Sequence, residues 1–118
     1  MYQKLSITIL LLSISLISFS QIKIDVNDVS KHVGDSVTVC SVVVNTKVIQ
    51  HFTYLDLEKA YPNNPLTVVL REEVYSKFPA PPDVLFRGKN VCITGKLHYY
   101  GKRIQILIDD PAQIQMKE

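Results

Sequence analysis

Residues Tyr54–Leu70 read YLDLEKAYPNNPLTVVL, and this stretch limits the fold more than any other. Its centre holds Pro62, Asn63, Asn64 and Pro65, a turn cluster that neither a helix interior nor a central strand tolerates. On both sides apolar and polar residues alternate, the period of a strand with one face buried. Phe52–Leu57 is therefore expected as a strand with Leu55 and Leu57 inward and Phe52, Tyr54 and Asp56 outward. Leu66–Leu70 is expected as its partner, with Leu66, Val68 and Leu70 inward and Thr67, Val69 and Arg71 outward. A lone hairpin is marginal in water, so the rest of the chain must cover its inward face.

Three further segments can do so. Val37–Val44, VTVCSVVV, is β-branched and alternating, with Val37, Val39, Ser41 and Val43 on one face and Thr38, Cys40, Val42 and Val44 on the other. Asn90–Tyr99 puts Val91, Ile93 and Leu97 opposite Cys92, Thr94, Lys96 and His98, and Arg103–Asp109 turns Ile104, Ile106 and Ile108 inward. Asn45–Gln50 reads as a short connection and Ala80–Asp83 as a loop. Asp28–His32 reads as one helical turn, and Glu72–Phe78 as a short helix stopped by Pro79. Five short strands with a helix between the third and fourth is the order of an all-β, five-stranded OB-fold Greek-key barrel. In such a barrel the first strand pairs with the fourth.

The first twenty residues stand apart from this pattern. Lys4 precedes the uncharged Leu5–Phe19 run, and Ser18 and Ser20 put small residues at −3 and −1 of a cut before Gln21. These are the parts of a secretory signal. The expected division is residues 1–20 as signal peptide and 21–118 as one OB-fold domain, periplasmic or secreted. Export gives the two cysteines a meaning. Cys40 and Cys92 form an even pair in an oxidising compartment, where one disulfide is expected. Two free, strand-borne thiols acting as small hydrophobes are the alternative. Both fall on the outward face, where a barrel sets the first and fourth strands side by side.

The formal charge is +2, and it falls by one with the loss of Lys4. This is not the strongly basic balance of a chain that announces nucleic-acid binding by charge alone. Catalysis has little to build on. His32, His51 and His98 are scattered, no serine stands in a nucleophile elbow, and no glycine-rich phosphate loop is present. Asp109-Asp110 has the residue type of a metal-ligand pair, but Asp110 opens the Asp-Pro turn that stops the last strand. No enzyme activity, cofactor or metal is expected.

The segments TYLDLEKAYPNNPLTVVL, SKF, FRGKNVCITGKL and DDPAQI resemble the small exported OB-fold nucleic-acid-binding domain of bacteria, a type also found beside secreted nucleases. The resemblance spans Val33–Ile114. It implies the fold, and it implies a single strand of DNA or RNA as partner. Three departures are visible. Arg71 stands where members often carry Trp, Glu72 and Glu73 follow it, and Asn45–Gln50 lacks the Gly- and Lys-rich stretch common there.

OB folds bind on the outer face of the second and third strands, between the loops after the first and fourth. The candidate residues on that face are Phe52, Tyr54, Thr67 and Arg71, beside Val69. Tyr99, Tyr100, Lys102 and Arg103 come from the fourth-to-fifth loop, and Lys47 from the first. Rings can stack on bases and cations can meet phosphates. The same rings can equally be cross-strand packing on a pleated surface. Tyr61-Pro62-Asn63 reads as turn structure, with Lys59 beside it within reach of a phosphate. The second functional class is an exported OB module for a small molecule, peptide or protein.

Overall fold

The computed structural model describes residues 22–117, so the expected signal peptide lies outside the described residues. The chain runs β1 (Ile22–Ile24), a 3₁₀ turn (Val26–Lys31), β2 (Ser36–Ile49), β3 (Phe52–Leu57), β4 (Leu66–Arg71) and a 3₁₀ turn (Glu72–Lys77). It continues through α1 (Pro82–Phe86), β5 (Asn90–Lys96), β6 (His98–Tyr100), β7 (Arg103–Ile108), a 3₁₀ turn (Pro111–Gln113) and β8 (Ile114–Met116). The fold is almost entirely β. The five expected strands are present as β2, β3, β4, β5 and β7, with β6 taking up the end of the expected fourth strand. Their expected alternation holds. Val37, Val39, Leu55, Leu57, Leu66, Val68, Leu70, Val91, Ile93, Leu97, Ile106 and Ile108 are fully buried in one core.

The sheet differs from the expected barrel. Eight strands, not five, join one mixed sheet in the order β6-β7-β4-β3-β2-β5-β8, with β1 beside β2. The expected pairing of the first and fourth strands holds, as β2 with β5, antiparallel. β4 pairs with β7 in parallel. No ladder joins β5 to β7 among the described residues, so by backbone pairing the sheet is open.

A side chain spans that opening. Gln113 Nε2 donates to Thr94 O of β5 at 3.0 Å and to Leu107 O of β7 at 3.1 Å. Its Oε1 accepts from the backbone N–H groups of Asp109 and Asp110 at 2.8 and 3.0 Å. Asp110 and Gln113 complete a capping box, so the DPAQ sequence sets the amide in place. Gly95 lets the strands approach: a Cβ there would lie 2.6 Å from Ile106 Cγ2 and 3.1 Å from Gln113 Nε2. Ile106 is β-branched, fully buried and unable to swing aside.

Three local expectations are corrected. Asn45–Gln50 is not a connection, because β2 runs on to Ile49 and turns through Gln50 and His51 into β3. A register shift between Val43 and Asn45 makes this extension possible: Val43 faces Leu57, yet Asn45 already faces Asp56. The extra residue, Val44, bulges out, 40% exposed. The helix expected over Glu72–Phe78 is a 3₁₀ turn, and the loop expected over Ala80–Asp83 gives way at Pro82 to the α-helix, whose Phe86 enters the core. Proline suits that place because the first turn of a helix needs no N–H. Phe86 packs edge-to-face on Phe78, with centroids 5.5 Å apart.

Cys40 and Cys92 lie directly opposite each other on β2 and β5 and are joined by a disulfide. The alternative of free thiols is thereby set aside.

Candidate functional site

The outward face of β2, β3, β4 and β7 is set by register. One row across the sheet is Asn45, Asp56, Thr67 and Gln105; the next is Lys47, Tyr54, Val69 and Leu107; the third is Ile49, Phe52 and Arg71. The bulge at Val44 creates the β2 part of these rows. Beyond it the inward parity passes from odd to even residues, so Thr46 is buried while Lys47 and Ile49 turn outward. Lys47, expected from a loop, therefore stands on a strand directly beside Tyr54.

A groove of about 420 Å³ runs over the first two rows and reaches Ile49 of the third. Tyr54, Tyr61 and Tyr100 supply its rings, and Lys47 and Arg103 its cations. Asp56, Thr67, Asn45, Ile49 and Gln105 complete it. Arg103 organises one wall. Its guanidinium lies 4.1 Å from the centre of the Tyr61 ring, a cation–π contact. Its Nη2 donates to Thr67 Oγ1 at 3.2 Å and to Asn64 Oδ1 at 3.3 Å. Asn64 in turn donates to Thr67 Oγ1 at 2.7 Å and Leu66 O at 3.0 Å, which pins the PNNP turn to β4. Tyr61 is thus held over the groove by the fifth expected strand, although its backbone belongs to the turn.

The structure brings together five of the nine expected contact residues: Lys47, Tyr54, Thr67, Tyr100 and Arg103 all line the groove. Phe52 and Arg71 share the same face one row away and are cross-strand partners. Phe52 packs its ring on Tyr54, with centroids 6.3 Å apart, so one of its roles is to support that side chain. Tyr99 and Lys102 are exposed and lie outside the groove. Tyr99 alternates away from Tyr100 on β6, and Lys102 sits in the turn before β7. Glu72, which follows Arg71, pairs with His51 Nδ1 beyond the face.

Sequence reasoning missed Tyr61 as a wall and Asn45, Ile49 and Gln105 as lining. Asn45 and Ile49 depend on the bulge, which alternation alone does not reveal. Tyr61 had a signal in retrospect: an aromatic opening a turn that precedes an outward polar strand residue. Among the described residues, no group of three His, Cys, Asp or Glu side chains is placed to hold a metal ion.

No protein-family model matches the chain, and no curated protein matches it. Solved structures do. An OBody, AM1L10, bound to hen egg-white lysozyme superposes with a TM-score of 0.54 at 16% identity, covering 86% of this chain and 98% of that one. A protein of Leishmania major Friedlin assigned as an aspartyl-tRNA synthetase gives 0.56 at 11% identity, over 86% of this chain and 22% of that one. The S. pombe Stn1-ten1 complex gives 0.50 at 12% identity, over 70% of this chain and 57% of that one. The chain thus spans less than two thirds of two of these neighbours. At such identities the likeness is one of fold, and the fold is OB-like.

Proposed function

We propose that this protein is an exported, non-enzymatic OB-fold binding protein that holds a single strand of nucleic acid along the outer face of β2–β4 and β7. The observation that carries the reading is the groove itself. Three tyrosine rings and two cations stand side by side on the sheet face that OB folds use for oligonucleotides. Rings take up bases at about 1–3 kcal/mol each, whatever the sequence, while Lys47 meets the backbone. The Cys40–Cys92 disulfide supports export, since such bonds persist in oxidising compartments. None of the described helices is long and apolar enough to cross a membrane.

A protein or small-molecule partner is the second reading. The near-neutral net charge of +2 favours it. Salt separates the two, because phosphate contacts release counterions and neutral contacts do not. The test is fluorescence anisotropy of a labelled single-stranded oligonucleotide against the oxidised protein at low and physiological salt. Saturable binding that weakens as salt rises is expected. Absence of binding at low salt would overturn the nucleic-acid reading and leave the partner reading.

A further inference from the structure

We infer that the groove selects a guanine, and that Asp56 on its floor accepts hydrogen bonds from the N1–H and N2–H groups of that base. The inference rests on the nucleic-acid reading above and adds the base preferred at one position.

Asp56 is only 6% exposed, yet it lines the groove. Its carboxylate has poor company. Among the described residues its side-chain hydrogen-bond donor is Asn64 Nδ2, 3.4 Å away. That amide has two hydrogens, and the shorter bonds to Thr67 Oγ1 and Leu66 O already engage it. Arg103 donates to Thr67 and Asn64 instead, and no Lys, Arg or His among the described residues forms an ion pair with Asp56. A carboxylate this buried normally has a cation or several strong donors, because desolvating it is costly. No unpaired side-chain oxygen among the described residues is fully buried, so the Asp56 oxygen that Asn64 does not reach keeps some open surface, and Asp56 lines the groove.

A strand lying in this groove cannot put phosphate against that oxygen, since like charges repel. It can put a base there, between the tyrosine walls. The carboxylate is acceptor-only, with two oxygens, and asks for two adjacent N–H donors. Guanine alone offers them on its Watson–Crick edge. Cytosine and adenine offer one amino group beside a ring acceptor, and thymine or uracil offers one N–H flanked by two carbonyls. Next to its two donors guanine carries the O6 acceptor, and Lys47, on the strand beside Tyr54, is a donor in the same groove.

The test compares four labelled strands by anisotropy with the oxidised protein: all thymidine, and the same strand with one central guanosine, inosine or adenosine. The guanosine strand is expected to bind about tenfold more tightly than the all-thymidine strand, the scale of one bidentate base contact. Inosine lacks the 2-amino group and is expected to lose most of that gain. Asp56→Asn is expected to bring the guanosine-to-inosine affinity ratio to about one. Equal affinities for all four strands, with salt-sensitive binding intact, would overturn the guanine assignment and leave the strand-binding reading standing. Absence of binding to any strand would overturn both. The guanosine-to-inosine comparison on the unaltered protein needs no variant, so a poorly folding Asp56→Asn does not stall it.

Discussion

At the scale of the residue, Tyr54 and Lys47 divide the work of binding in a way that can be measured. Tyr54 presents a half-buried ring flanked by Lys47 and Val69 and braced by Phe52. Its loss in Tyr54→Ala is expected to weaken oligonucleotide binding by about 1–3 kcal/mol with little change in the salt slope, because stacking releases no counterion. Lys47→Ala is expected to lower the salt slope by about 1. Arg71→Ala, one row from the groove, is expected to change the slope less than Lys47→Ala does. Anisotropy titrations at several salt concentrations check all three. The outward facing of Tyr54, Asp56 and Thr67 was legible from the two-residue period alone. The weak partnering of the Asp56 carboxylate was not, because it depends on Asn64 holding Thr67 and Leu66 more closely and on Arg103 turning to Thr67 and Asn64.

At the scale of the element, the opening between β5 and β7 is the feature that most distinguishes this sheet from a closed barrel. Gln113 spans it with two donated bonds and is itself fixed by two accepted ones. Gln113→Glu keeps the accepting oxygen and the size but removes both donors, and sets a carboxylate against two carbonyl oxygens. It is expected to destabilise the fold by about 1–3 kcal/mol, read as a lower midpoint in urea unfolding. Gln113→Ala should cost a similar amount by leaving the same carbonyls unpaired. The bulge in β2 acts at the same scale. One extra residue, Val44, reverses which side chains of Asn45–Ile49 meet the ligand face. Strand alternation identified β3 and β4 nearly to the residue, and it failed for the second half of β2 because the alternation there changes phase.

At the scale of the whole molecule, the Cys40–Cys92 bond ties β2, which also pairs with β3, to β5, which also pairs with β8. The sequence separation of 52 closes a long loop of the unfolded chain. In the chain-entropy model that is worth about 4 kcal/mol, a large share of the stability of a small domain. Denaturant unfolding of oxidised and reduced protein is expected to differ by roughly that amount. Thiol titration of the unreduced, unfolded protein is expected to find no free thiol; two free thiols would contradict the bond. Groove and disulfide belong to different parts of the sheet, so reduction should weaken binding only as far as it unfolds the protein.

Local chemistry in the sequence was enough to determine the all-β class, the hairpin around PNNP, the inward sets of the strands up to the bulge in β2 and the shared face of the two cysteines. Each of these follows from side-chain alternation or turn residues within a few positions, which any strand of that sequence must obey. The tertiary structure alone decided the phase change at Val44, the open edge between β5 and β7, the placing of Tyr61 over Arg103 and the weakly partnered carboxylate of Asp56. These depend on residues far apart in the chain meeting in one register, and a register is chosen by the packing of the whole sheet rather than by any one strand.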